Sequence, residues 1–307
     1  MLVLTDFLTS WKTSLKLKLR SSPSEIPMLV CGGSVSEFNS KRRVYSIPGS
    51  ILSGRLFKDW ISQEPIRGDT SNHTSDEWND VKKAVEQALP FYESISEVIS
   101  FGLAGPLRRR AIRRLETQRN DWVLDSGTGP GVSSRILLDD GFEKVIGLDP
   151  SLILLRSSKT RLRDGFYPVR GVAENLPFRN GSMAGAITCF SLRDVRDREA
   201  SVAEFARVVR ETGRLEIVDV GKPDSPFFQR LISLYVVLVM PIVAKFFIGG
   251  RARGNPFRLI IPTFHQLSTN HNLTVLAERE FGSSRLHEFL LGGLVIVEAR
   301  QTNFSRS

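Results

Sequence analysis

A short apolar run that ends in an acid and then meets glycines at every second position constrains this chain more tightly than any other stretch: Trp122-Val123-Leu124-Asp125-Ser126-Gly127-Thr128-Gly129-Pro130-Gly131. The pattern predicts a buried strand that stops at a tight loop and feeds a helix. Lacking Cβ atoms, Gly127, Gly129 and Gly131 can take positive φ and let a flat ligand approach the main chain. Asp125 then stands at the carboxyl end of the strand, where open α/β sheets bind their ligands.

A second apolar run, Lys144-Val145-Ile146-Gly147-Leu148-Asp149, also ends in an acid, 18 positions after Gly131. A carboxylate there suits the two hydroxyls of a ribose. Two nucleoside ligands meet that description, NAD and S-adenosylmethionine. The dinucleotide fingerprint G-x-G-x-x-G needs a glycine where Val132 stands, and Pro130 removes an N–H that a pyrophosphate would use. A carboxylate just ahead of the glycines is a poor neighbour for pyrophosphate and suits the cationic amino-acid end of S-adenosylmethionine. The residues favour the methyl donor, with a dinucleotide site and a ligand-free strand-turn-helix as the alternatives.

Beyond Gly131 apolar strands alternate with helical patterns. The spacing predicts a helix to about 139, strands over 144–149, 166–171, 185–190 and 214–219, and helices over 151–159 and 198–209. Two final strands are expected near 273–281 and 293–299, linked by Gly282–Gly292 as an antiparallel edge pair. The whole reads as a seven-stranded, mostly parallel α/β sheet with helices on both faces. Ahead of it come a helix from Ser75 to Pro90, a segment over 91–102, and a basic helix over Leu107–Leu115. Its Arg108, Arg109, Arg110, Arg113 and Arg114 read as a solvated face. The apolar segment 227–248, interrupted by Pro241 and Lys245, reads as a helix over the mouth of the site.

Of the formal net charge of +9, residues 1–58 carry +6, from nine basic and three acidic side chains. One basic end points to an anionic surface, most simply a membrane. Leu4, Phe7, Leu8, Trp11 and Leu15 stand near helical spacing among lysines, a pattern shared by interfacial helices and organellar transit peptides. Residues 1–75 are therefore expected to form a basic, partly disordered extension, and 76–307 the folded domain, with 221–270 as a helical insertion over the substrate. Cys31 and Cys189 make neither a disulfide framework nor a zinc motif, and the four histidines form no metal pattern, which fits a cytoplasmic, reducing compartment. The nearly neutral remainder, without an aromatic-interleaved basic patch, argues against nucleic acid as a partner.

From about Tyr92 to Arg300 these motifs resemble the ubiquinone/menaquinone C-methyltransferase family of the Rossmann-like class I fold. The loop from Asp125 to Gly131 resembles the superfamily as a whole. Ser100-Phe101-Gly102, the run Ala173 to Phe178, the run Phe190 to Arg198 (F-S-L-R-D-V-R-D-R), Gly221-Lys222-Pro223 and Gly292-Gly293-Leu294-Val295 narrow it. The resemblance implies S-adenosylmethionine as cofactor, held by Asp125, Gly127, Thr128, Gly129, Gly131, Asp149, Pro150, Val172, Ala173, Glu174 and Cys189. It implies Arg193 and Asp194 as catalytic groups, and Tyr92, Phe101, Phe190 and His265 as contacts for the acceptor.

The implied reaction is methylation at carbon of a hydrophobic, demethylated quinol. Another small molecule or a prenyl lipid as acceptor, and a catalytically silent binding protein, are the alternatives. Peripheral membrane association and a homo-oligomer accompany the family reading. Four departures stand out. Val172 occupies a position where the family usually carries Asp or Asn for the adenine amino group. Ser96 replaces the usual Asn, and the tryptophan after the Phe-Gly pair is missing. Asp194 also replaces an Asn, and three roles are open to it: a base, a partner that orients Arg193, or a helix cap.

Overall fold

The computed structural model describes residues 92–235 and 267–302, together with Glu86, Leu89 and Leu238; the 1–75 extension, most of the expected 75–90 helix and His265 lie outside the described residues. Two helices lead in, α1 (Tyr92–Ile99) and α2 (Ala104–Arg114), followed by β1 (Trp122–Ser126). The alternation then runs α3 (Val132–Asp139), β2 (Lys144–Asp149), α4 (Leu152–Arg161), β3 (Phe166–Arg170), β4 (Met183–Cys189), α5 (Arg198–Val208) and β5 (Val209–Val220). A helical stretch over 226–235, α6 (Asn270–Phe281), β6 (Gly282–Phe289) and β7 (Leu294–Gln301) follow.

The seven strands form one sheet in the order β3-β2-β1-β4-β5-β7-β6. β1 to β5 run parallel, and β7 runs against both of its neighbours, β5 and β6. The chain moves outward from β1 to β3 and returns to β4 on the other side of β1. The loops after β1 and β4 therefore part, leaving a crevice at the carboxyl ends of the strands.

Both faces of the sheet are covered, so β4 buries all seven of its residues. Val123, Val145, Ile187, Val218 and Ile296 pack on the layer of α2 and α3. Their neighbours Leu124, Ile146, Ala186, Ile217 and Val297 pack on the other face with Phe205 of α5 and Phe281 of α6. α4 extends the first layer: a Cβ on Gly131, which begins α3 at φ 85, would come within 2.9 Å of Ser158 and 2.8 Å of Leu162.

The segment 273–281 is not the strand that its apolar run suggests. It belongs to α6, whose Thr269 hydroxyl accepts from the Asn272 N–H at 3.3 Å, and which ends at Gly282 with φ 91. The partner of β7 is instead 282–289, the stretch expected to be only a connection. β5 starts earlier than its pattern shows, because Val209 pairs with Met183 before a register break that resumes at Arg214 opposite Gly185.

One buried group works against this core. Glu216 of β5 is fully buried on the α2 face, and neither of its carboxylate oxygens has a hydrogen-bond partner among the described residues. Burial pushes its pKa up to about 8, although Arg114 and Arg214 pull the other way. A raised carboxyl pKa means that the group favours the fold while protonated, below about pH 4.5, and that this contribution is lost as pH rises through about 8. Glu216→Gln should therefore leave stability nearly unchanged at pH 5 and raise it by roughly 2–4 kcal/mol at pH 8.5. Urea unfolding at the two pH values checks this; an equal effect at both would remove the charge as the cause.

Candidate functional site

An open cleft lies over the carboxyl ends of β1, β2 and β4, with Ser126, Gly127, Asp149, Thr188 and Phe190 in its wall. The glycine loop forms one lip. Its N–H groups turn inward: Gly127 and Thr128 donate to the Leu148 carbonyl at 2.8 and 3.0 Å, Gly129 to Asp149 Oδ2 at 2.9 Å, and Gly131 to the Thr128 carbonyl at 2.9 Å. Pro130 has none to give. No cluster of free N–H groups is left for a pyrophosphate, which removes the main support for a dinucleotide. Gly127 has φ 69, and a Cβ there would fall 2.3 Å from Ser191, where the loops after β1 and β4 touch. Any side chain would wedge the crevice apart.

Two acids stand beneath the loop. Asp149 accepts from Ser151 N–H at 2.8 Å and Gly129 N–H at 2.9 Å, and burial pushes its pKa up to about 6 against those bonds. It keeps lone pairs for a ligand and faces the cleft. Asp125 is deeper. Its Oδ2 accepts from Thr128 and Ser134 hydroxyls at 2.8 and 2.6 Å, while buried Oδ1 has no partner. Burial raises its pKa as well. A lone buried carboxylate oxygen, a second acid at the tip of the next strand, and apolar walls from Leu148, Leu154 and Val172 fit S-adenosylmethionine. Asp149 would hold the ribose and Asp125 the ammonium end.

The opposite wall carries the cations. Arg193 lies in a single turn of 3-10 helix, Leu192–Asp194, just after β4. Its backbone N–H donates to Asp219 Oδ2 at 3.1 Å, and its guanidinium lies 3.5 Å from Asp194 Oδ1 and 3.7 Å from Asp219 Oδ1. Burial disfavours the guanidinium charge, but Asp194, Asp219 and Tyr92 outweigh it and raise the pKa further. Arg193 is thus a fixed cation. Tyr92, the first residue of α1, faces the same space; burial raises its phenol pKa, with Arg108 and Arg193 opposing. Asp194 does not cap α5. Asp197 does, accepting from Ala200 N–H at 2.9 Å.

The structure brings Tyr92, Gly127, Gly129, Asp149, Pro150, Val172, Ala173, Glu174, Phe190, Arg193 and Asp194 to the cleft wall. Glu174 braces the wall by accepting from Arg196 N–H at 2.7 Å. Val172 offers no polar side chain to an adenine. Thr128, Gly131 and Cys189 lie behind the wall, and burial pushes the Cys189 thiol up to about 12. Phe101 is 60% exposed and stacks on Tyr235 at 5.1 Å instead.

Two site residues escape the sequence reading. Asp219 was legible as a third acid at a strand tip. Arg108 lies among the buried residues Ala104, Leu107, Ala111 and Ile112 of α2 and is itself buried, at 2% exposure, rather than solvated.

Residues 72–254 match the sequence profile of the ubiE/COQ5 methyltransferase family. The chain belongs to that family. The chain is 30% identical over 166 residues to the demethylmenaquinone methyltransferase of Paenarthrobacter aurescens, a match that covers 54% of this chain and 65% of that protein. It is 31% identical over 160 residues to the demethylmenaquinone methyltransferase of Thermotoga maritima (52% and 69% of the two chains), and 25% identical over 220 residues to the ubiquinone/menaquinone biosynthesis C-methyltransferase UbiE of Syntrophotalea carbinolica (70% and 91%). Among solved structures, a SAM-dependent methyltransferase of Thermotoga maritima superposes with a TM-score of 0.50 at 17% identity, over 72% of this chain and all of its own, which shows the shared fold. By family and fold this ubiE/COQ5 member is a class I methyltransferase that uses S-adenosylmethionine.

Proposed function

We propose that this methyltransferase places a methyl group on a ring carbon of a demethylated, prenylated quinol. The observation that carries the reading is Arg193, a buried cation clamped by Asp194 and Asp219 at the cleft wall opposite the glycine loop. The family match and its demethylmenaquinone and ubiquinone/menaquinone methyltransferase relatives support it. S-adenosylmethionine, when bound, supplies an electrophilic methyl on a sulfonium that leaves as a neutral thioether. The residues must make a ring carbon nucleophilic and exclude water. Asp194 accepts the proton from the quinol hydroxyl. Arg193 stabilises the negative charge that grows on that oxygen, so that electron density moves to the attacking carbon. The ring carbon would take that methyl in exchange for its proton, which would pass to water once the methyl is in place, so that the ring regains its aromaticity. Phe190 and Tyr92 form the apolar and hydroxyl-bearing walls beside the ring.

The acceptor's prenyl tail calls for a lipid source. Phe227, Leu231, Leu234 and Leu238 are all exposed, at helical spacing on one side of the stretch after β5, and Leu290 and Leu291 are exposed in the β6–β7 turn. Among the described residues no helix is long and apolar enough to cross a membrane. These side chains suit a face laid against a bilayer, with exposed Arg109, Arg110 and Arg113 for anionic headgroups.

Mass spectrometry of quinones from cells lacking the gene tests the substrate. Accumulation of the unmethylated quinone, reversed by the wild-type gene, is the expected result. An unchanged quinone profile would overturn it.

A further inference from the structure

Among the described residues, Arg108 is a buried cation without a counter-ion. Its side chain is 2% exposed, its Nε has no hydrogen-bond partner, and among the described residues no carboxylate forms an ion pair with it. The contact it does make is with the Phe190 ring, whose centroid lies 4.7 Å from the guanidinium carbon. A ring face attracts a cation but does not replace the water that Arg108 has lost. Proteins seldom bury an unpaired guanidinium unless something supplies the missing anion.

The position says what that anion belongs to. Phe190 lines the cleft, and Arg108 is in contact with its ring, so the guanidinium lies one residue back from the ligand space. Phe190 holds φ 59, a left-handed conformation costly for a bulky residue, at the point where the loop after β4 turns over α2. The charge of Arg108 is felt by Asp125, Cys189 and Tyr92, which places it beside the inner end of the cleft rather than its mouth. Asp125 offers its own unpartnered oxygen in the same region. An acid and a base, each buried with one hydrogen-bonding atom vacant, are complementary to an α-amino acid zwitterion.

We propose that Arg108 receives the carboxylate of the amino-acid end of S-adenosylmethionine, past the edge of the Phe190 ring, while Asp125 receives its ammonium. The assignment rests on the reading of this cleft as the methyl-donor site. It also balances charge. Asp125, Asp149 and Arg108 sum to −1, and a sulfonium zwitterion carries +1. Without Arg108 the two acids would hold the ammonium and sulfonium but leave the donor's carboxylate buried beside carboxylates, a costly arrangement. Arg108 is thus a binding and positioning residue for the amino-acid end of the donor.

Calorimetric titration of the full chain with two ligands tests this: S-adenosylhomocysteine and its decarboxylated analogue, which differs only by the carboxylate. Wild type should bind the first about 30- to 100-fold more tightly than the second. Arg108→Met should lose that preference, weakening S-adenosylhomocysteine by about the same factor and the analogue by less than about threefold. Arg108→Lys, which keeps charge without the fork, should fall between. Thermal melting without ligand guards against a folding defect: the Met variant should melt no lower than wild type, because it removes an unpaired buried charge. Equal losses for both ligands, or no loss for either, would overturn the assignment to Arg108. Wild type binding neither ligand would overturn the donor-site reading itself.

Discussion

Arg193→Met should lower kcat by about 10²- to 10³-fold while leaving the Kd for S-adenosylhomocysteine within about threefold of wild type. The asymmetry follows from where the side chain is held. Two carboxylates and a backbone bond to Asp219 fix it in the turn after β4, across the cleft from the acids that face the nucleoside. Its charge is therefore prepaid in position and is used only when negative charge appears on the acceptor oxygen. Methionine keeps most of the volume and removes the charge. Lysine keeps the charge without the flat fork that spans Asp194 and Asp219, so Arg193→Lys should recover part of the rate. Single-turnover methylation with saturating donor reads the chemical step directly. A large rise in donor Kd with unchanged kcat would show that Arg193 serves the cofactor rather than the acceptor.

What was legible beforehand follows from how local each signal is. Asp125, the alternate glycines and Asp149 lie within 25 consecutive residues, and a strand tip, a tight loop and a second strand tip need only short-range patterning to be seen. The parallel alternation from β1 to β5 was visible for the same reason. α6 was misread because Leu273, Val275 and Leu276 supply an apolar run that suits a strand, although its cap Thr269 and stop Gly282 were present in the sequence. β6 was missed because it is an edge strand with no fully buried residue, so its pattern carries little hydrophobic contrast.

At the site, sequence position alone did not separate residues that face the cleft from those that support it. Thr128 and Asp125 share one buried hydrogen bond, and Cys189 differs from its cleft-lining neighbours Thr188 and Phe190 only by the alternation of a strand. Arg108 needed the fold itself. A run of five arginines within seven positions reads as solvent-facing until α2 is laid against β1 and β4, and then one of the five points inward.

Asp149→Ala should raise the Kd for S-adenosylhomocysteine about 100-fold, and the decarboxylated analogue should weaken by the same factor. A carboxylate facing two ribose hydroxyls makes two charge-assisted bonds, each worth roughly 1.5–3 kcal/mol when its partner is buried, and both ligands carry the same ribose. That equality separates Asp149 from Arg108, whose loss is expected to discriminate between them. The wild-type protein should also show the bond through pH. Burial pushes the free carboxyl up to about 6, so protonated Asp149 favours the fold, a contribution present below about pH 3.8 and lost as pH rises through about 6. A ribose bound to the ionised form draws the pKa back down. Binding must then release a proton below about pH 6, and Kd should rise as pH falls from 6.5 to 5, by up to about tenfold per unit. Titration in buffers of different ionisation enthalpy reads that proton. Asp149→Ala should abolish its release, and a Kd in wild type that stays level across this range would mean that the acid at the tip of β2 does not meet the ribose.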